Sequence, residues 1–380
     1  MLESFVMNKE GEFMNQLIGV INLDYELDHL KELTYFRCGA AVPFAGRYRL
    51  IDFTLSNMMY AGIKDTALFI RRKYRSLLDH LGDGRPWDLD RKVGGMFILP
   101  PDWNDPTDTS LGDLQHVHNN LDFFNRASGR TLVHSGTQHI NKVDILDAYR
   151  FHKEKGADVT LVYRQVRQLQ PEHTTCTRLD VDEQGRVTEI HHEQDHHNVY
   201  MEMFIMDKKL YLEQVERCIA HGESHFFKAA IQKNPGKLKI YAYRYEGYHG
   251  VVNSVESYFK NSMQLLKQEQ YKALFKENPA HTKIKYEPPT QYQDGAKVAN
   301  SLVANGCMIG GNVENSIIFR GVKIHEGARV SNSIIMQKCV IEAGAVIDNV
   351  ILDKDVRLSQ GRTLIGDARK PYVIAKNIHL

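Results

Sequence analysis

The chain has 380 residues, 42% hydrophobic and 25% charged, which excludes disordered, collagenous and coiled-coil classes and leaves an ordinary globular protein. At about 150 residues per domain there is room for two domains. Its 48 Lys and Arg against 47 Asp and Glu give a net charge of +1 with no long basic run, so neither a nucleic acid nor an anionic membrane is expected as a partner.

The first thirteen residues, MLESFVMNKEGEF, lack an apolar stretch of signal-peptide length, and no run approaches the roughly eighteen apolar residues that a membrane span requires. Residues 1–14 read as a disordered N-terminal extension, with Met14 as an alternative start. Cys38, Cys176, Cys218, Cys307 and Cys339 lie far apart and odd in number, without a C-x-x-C pair. That pattern opposes a disulfide framework and a zinc knuckle and suggests a reduced, cytoplasmic protein.

From residue 17, LIGVINL is a short apolar run that predicts a strand. RYRLIDFTLSNMMYAGI (47–63) has apolar residues near helical spacing and ends at Gly62, a helix stop. DTALFI (65–70) predicts a strand, RSLLDHLGD (75–83) a helix, DLQHVHNNLDFF (113–124) a helix and TLVHSG (131–136) a strand. A long helix follows at 142–158 and a strand at 159–166. Strands alternating with helices indicate an α/β domain with a mixed, mostly parallel sheet, which binds ligands at the carboxyl ends of its strands. A helix at 254–275 closes it, giving expected bounds of 15–275, and residues 276–294, rich in proline, read as a linker.

The texture then changes. ENSIIF, SNSIIM and DNVILD place Asn315, Asn332 and Asn349 seventeen residues apart, and IHEGARV and IEAGAVI repeat at the same interval. That period is too short for leucine-rich, ankyrin or helical repeats and fits a hexapeptide β-helix over residues 295–380.

RCGAAVPFAGRYRLIDFTLSNMMYAGI (37–63) resembles the sugar nucleotidyltransferases, and among them the ADP-glucose pyrophosphorylases of glycogen and starch synthesis. The likeness continues through LGDLQHVHNNLDFF, TLVHSGTQHINKVD, RLDVDEQGRVTEI, SVESYFKNSMQLL and the C-terminal coils. It implies a Rossmann-like nucleotidyltransferase domain followed by a left-handed parallel β-helix. It also implies a reaction in which a nucleotidyl group passes from ATP to glucose 1-phosphate and pyrophosphate is released. Such chemistry needs backbone N–H groups, cations and a carboxylate-held divalent metal at the phosphates.

This chain departs from the family pattern at each of those places. The family loop L-A-G-G-x-G-T-R-L is matched by Asn22, Leu23, Asp24, Tyr25, Glu26, Leu27, Asp28, His29 and Leu30, with no glycine and three acids. An acidic loop is expected to repel a triphosphate. The lysine of A-K-P-A is replaced by Gly39. The metal-holding aspartates of G-D-H-I-Y-K and W-R-D-V-G-T fall at Gln138 and Val251, neither of which ligates a hard cation. The sugar-phosphate contact E-K-P is replaced by His192, Glu193 and Gln194, and G-T-A-D-A-V by Gly112 to Val117.

No catalytic residue is therefore expected, and the chain resembles the GlgD-type regulatory subunit of two-subunit bacterial ADP-glucose pyrophosphorylases. That resemblance implies a hetero-oligomer, such as a tetramer, with a catalytic subunit that would use Mg²⁺, no cofactor for this chain, and a homo-oligomer as another assembly. The competing readings are an active nucleotidyltransferase with a variant site and a hexapeptide-repeat acyltransferase. The acyltransferase fits poorly, because the coils are few and follow a complete α/β domain.

Arg47, Arg49, Arg71 and Arg72, with Lys73 and Arg75, form the densest basic grouping and suggest a pocket for a phosphorylated effector. The alternative is a solvated helix start with a structural Arg49–Asp52 contact. HHEQDHH places His191, His192, His196 and His197 around Glu193 and Asp195. Adjacent histidines in a strand face opposite ways and in a loop are solvated, so no metal site is expected there.

Overall fold

The computed structural model describes residues 16–24, 28–100, 112–192, 195–234 and 236–380. Two compact units emerge, each assembled from separated stretches. Phe53–Arg72 and Leu81–His249 join the N-terminal strand in the first, and Leu27–Asp52, Lys73–His80 and Gly250–Leu380 form the second.

The first unit is organised by a nine-stranded sheet. Its strands are β1 (Leu17–Asn22), β2 (Asp65–Phe69), β3 (Gly95–Leu99), β4 (Thr131–Ser135), β5 (Val159–Gln165), β6 (Arg178–Val181), β7 (Val187–His191), β8 (Asn198–Asp207) and β9 (Ile240–Arg244). All six residues of β1 are buried, as befits a central parallel strand covered on both faces. It pairs in parallel with β2 and β4, and β2 with β3. The long β8 reverses direction, pairing antiparallel with β4, β5 and β6, while β9 lies parallel to β5. Gly19 is needed in β1 because a Cβ there would sit 2.7 Å from Met58 Sδ. Ile18, Val20, Phe69, Phe124, Leu132, Leu161 and Phe204 fill the core.

Helix Ile145–Lys155 begins where Asp144 accepts from the Asp147 N–H at 3.0 Å and stops at Gly156, whose φ of 55° is left-handed. Residues 113–124 differ from the single helix expected. They form Leu114–Asn119 and Leu121–Arg126, broken at Asn120, whose side chain turns back to donate to the His116 carbonyl at 2.9 Å.

The second unit carries the β-helix. Three five-stranded parallel sheets form its faces, the arrangement expected of hexapeptide coils. Lys323 pairs with Val340 and Val340 with Arg357, steps of seventeen residues, whereas Met308 to Lys323 is a shorter step of fifteen. The repeating asparagines take the corners that need a left-handed backbone, with φ of 47° at Asn315, 45° at Asn332 and 53° at Asn349. Beside them runs a serine ladder, in which the Oγ of Ser301, Ser316 and Ser333 accept from Ser316, Ser333 and Val350 N–H, each at 3.1 Å. Ile309, Val313, Ile324, Val330, Ile341 and Ile347 point inward.

The first coil starts at Gln291, which pairs with Met308, inside the stretch expected to be a linker. Residues 27–52 and 250–275 also group with the β-helix rather than with the α/β sheet. One buried contact ties the first stretch to the β-helix, and another ties the two stretches to each other. Arg37 pairs with Asp353 at 2.9 Å, and the Tyr258 hydroxyl donates to the Pro43 carbonyl at 2.7 Å. No helix is long and apolar enough to cross a membrane among the described residues.

Candidate functional site

In the first unit the carboxyl end of β1, where this sheet architecture places ligands, is closed by its own side chains. Asn22 donates to Asp113 Oδ2 at 3.0 Å, and Asp113 Oδ1 accepts from the Phe226 N–H at 2.8 Å. Asn22 Oδ1 accepts from the Asp24 N–H at 2.9 Å and turns the chain inward. The Asp24 carboxylate, 1% exposed, then meets Arg71 at 3.3 Å and the His116 Nδ1 at 2.9 Å. His116 is oriented from its other nitrogen by the Leu99 carbonyl at 2.9 Å, and Arg71 also donates to the Gly112 carbonyl at 3.0 Å.

This corrects the picture of Asp24 as a free acid facing phosphate. It is a buried carboxylate paired with the Arg71 guanidinium and within hydrogen-bonding distance of the His116 imidazole, at the position aligned with the start of the family's glycine loop. Glu26 lies outside the described residues. Of Asp28 only the backbone is described, at the start of the turn Asp28–Thr34.

The other positions at which the sequence departs from the family pattern fall as follows. Gly39 opens a short turn, Gly39–Ala41, in the second unit. Gln138 sits half-buried between β4 and the short strand His139–Asn141 of the first unit. Val251 belongs to the second unit, is 2% exposed, and its carbonyl accepts from Asn261 Nδ2 at 2.8 Å.

The sequence reading missed Glu202. It sits in β8 at a left-handed φ of 52°, where the pairing shifts register between Tyr200 and Met203, and its carboxylate packs against Gly136. The signal available was an acid interrupting the apolar run VYMEMFIM. Nearby, His139 Nδ1 and His249 Nε2 lie 2.9 Å apart, a hydrogen bond that needs one nitrogen to be unprotonated. Burial pushes His139 down to about 3 and lowers His249 well below the ordinary imidazole value.

The four candidate effector arginines divide between the units. Arg71 and Arg72 are in the first and Arg47 and Arg49 in the second. Arg71 is committed to Asp24 and Gly112, Arg72 is exposed, and Arg47 lies over the Tyr48 ring at 5.4 Å. Arg49 donates to the Ala41 carbonyl at 3.2 Å and to the Ser76 carbonyl and hydroxyl at 2.8 Å, while its N–H binds Asp52 at 3.0 Å. His80 meets the other Asp52 oxygen at 2.6 Å, and Trp87 is fully buried, so both are packing residues.

A cationic cluster not foreseen from the sequence lies in the second unit around Asp353. Arg37 Nη2 reaches both Asp353 oxygens at 2.9 Å, and its Nη1 is buried without a hydrogen-bond partner among the described residues. Burial, followed by the charges of Arg49 and Arg37, pushes the Lys354 ammonium down to about 7. Burial and Arg37 bring Arg49 to about 10.

The buried histidines predict an acid-sensitive fold. Burial pushes His152, which shares a 2.8 Å hydrogen bond with the Thr160 hydroxyl, down to about 4, while an unfolded histidine titrates near 6.5. Above that value both states are neutral and nothing is lost. Between about 6.5 and 4 only the unfolded chain takes the proton, so stability falls by about 1.4 kcal/mol per pH unit for this group. Urea denaturation from pH 7 to 4 is expected to show His152→Asn losing about 3 kcal/mol less than the wild type.

The comparisons agree with the geometry. A Nucleotidyl transferase model matches residues 28–230, and a GlmU-like C-terminal hexapeptide model matches 288–371. The glycogen biosynthesis protein GlgD of Bacillus subtilis (strain 168) is 36% identical over 369 residues, 96% of this chain and 97% of that protein. GlgD of Geobacillus stearothermophilus is 38% identical over 316 residues, 83% of this chain and 82% of that protein. A glucose-1-phosphate adenylyltransferase of Clostridium novyi (strain NT) is 31% identical over 301 residues, covering 78% and 79%. With both domains matched and the GlgD of Bacillus subtilis aligned along nearly its whole length, the chain belongs to the GlgD glycogen-biosynthesis group of the nucleotidyl transferase family.

Proposed function

We propose that the chain is a regulatory, catalytically degenerate subunit of glucose-1-phosphate adenylyltransferase. It would associate with a catalytic subunit as a hetero-oligomer and modulate ADP-glucose synthesis from ATP and glucose 1-phosphate, with Mg²⁺ used by the partner and none by this chain. The observation that carries this reading is Asp24, buried beneath Arg71 and His116 where a nucleotide-binding loop would begin. Gly39, Gln138 and Val251 supply neither a phosphate cation nor a metal carboxylate. The test is pyrophosphate release from ATP and glucose 1-phosphate with Mg²⁺. Silence of the chain alone, with an altered rate or effector response when the catalytic subunit is added, supports the proposal. Turnover by the chain alone refutes it.

An effector role in the second unit would fall to Lys354, half-buried beside the closed Arg37–Asp353 pair, rather than to Arg71, which is held by Asp24. A phosphorylated effector bound there would favour the charged Lys354, so its affinity should rise as pH falls from 8 through about 7. Lys354→Met should remove that pH dependence in a sugar-phosphate titration followed by calorimetry. An unchanged pH profile would place the effector elsewhere.

A further inference from the structure

The hairpin of β6 and β7 and the turn after it bring together three metal-ligating side chains that lie apart in the sequence. Leu179 pairs with Ile190 and both face the core, so Asp180 and His191 point to the opposite face of the hairpin. The register shift between Val187 and Glu189 sets Glu189 across from Asp180, which leaves His191 diagonal to Asp180 on that face. The turn then returns His196 to the same place. His196 Nδ1 lies 2.7 Å and His191 Nε2 3.5 Å from the same oxygen, Asp180 Oδ1. The two imidazoles meet edge to face with centroids 4.2 Å apart, and one ligand atom from each of the three residues lies within 4.8 Å of the others.

From this arrangement we infer a divalent-metal site of the Zn²⁺ class, formed by Asp180, His191 and His196. Two imidazoles and one carboxylate suit zinc, whereas Mg²⁺ and Ca²⁺ prefer all-oxygen sets. Zn–N and Zn–O bonds of about 2.0–2.2 Å place tetrahedral donors about 3.3 Å apart. The His191–Asp180 separation already matches, and the His196–Asp180 contact opens by about half an ångström as the metal replaces their hydrogen bond. Partial exposure, 11% at His191, 35% at Asp180 and 36% at His196, admits the ion and leaves the fourth position to water.

The site is selective within its own segment. His192 is exposed and outside the cluster, and His197 Nδ1 faces the Val166 carbonyl at 2.7 Å. The bound ion would tether the turn at His196 to β6.

The test is calorimetric titration of the full-length, EDTA-treated chain with Zn²⁺, with Mg²⁺ as comparison. The site predicts uptake of one equivalent of Zn²⁺ that Mg²⁺ does not displace, and a visible d–d absorption when Co²⁺ is used instead. Asp180→Asn and His196→Gln should each weaken Zn²⁺ binding about tenfold or more, whereas His192→Ala and His197→Ala should not. The metal-free thermal midpoint of His196→Gln, on a partly exposed turn, should equal that of the wild type and so separate ligand loss from misfolding. Absence of stoichiometric uptake would overturn the inference, as would a loss in His192→Ala equal to that in His196→Gln.

Discussion

Arg37→Met is expected to destabilise the protein by about 3–5 kcal/mol, because it strands a buried carboxylate. Arg37 and Asp353 are 2% and 1% exposed, and the Arg37 Nη2 contacts both carboxylate oxygens. Water does not reach Asp353 to replace the lost cation. The Lys354 N–H also binds Asp353 Oδ1, at 2.7 Å, and cannot neutralise it alone. In urea denaturation the double variant Arg37→Met, Asp353→Asn should recover part of the loss, since neither member of the pair is then left charged without the other. A loss under about 1 kcal/mol for Arg37→Met would show that the pair does not hold these parts of the second unit together.

Restoring a family carboxylate is the second large effect, and it acts in the unfavourable direction. Val251→Asp puts an acid at a site 2% exposed and is expected to cost about 3 kcal/mol or more. Gln138→Asp, at a half-buried position, should be far milder. Neither change should yield measurable pyrophosphate release, because groups that act as a unit do not restore activity singly. Substantial turnover by either variant would mean that the rest of the catalytic constellation survives and that the degenerate reading is wrong.

These outcomes show what the sequence made legible. The β-helix was readable because its repeat is local and, from Asn315 onward, regular. Asparagine every seventeen residues marks a corner that only a residue tolerant of φ near 45–53° occupies, and the structure places Asn315, Asn332 and Asn349 there. Only part of the α/β sheet was readable in the same way: β1 is an unbroken apolar run buried along its length, and β2, β4 and β5 were expected strands, whereas β3 and β6 to β9 were not anticipated.

The replacement chemistry was not readable. The absence of glycines after β1 was plain, but Asp24 finds Arg71 47 residues away and His116 92 residues away, and no local pattern encodes those meetings. The grouping of residues 27–52 with the β-helix likewise rests on Arg37 meeting Asp353, 316 positions on. Asp180 shows the same limit. HHEQDHH displayed the imidazoles, but the carboxylate that unites two of them sits on the neighbouring strand, and a bulge in the pairing sets its register.

Equilibrium binding of Mg²⁺–ATP to the isolated full-length chain tests most directly whether Asp24, Arg71 and His116 close the nucleotide cradle. The buried ion pair and the missing glycines predict no binding, or a dissociation constant no tighter than millimolar, at pH 7 and moderate salt. Micromolar binding of Mg²⁺–ATP would contradict the account, because the triphosphate would then have found a site that these side chains are held to fill.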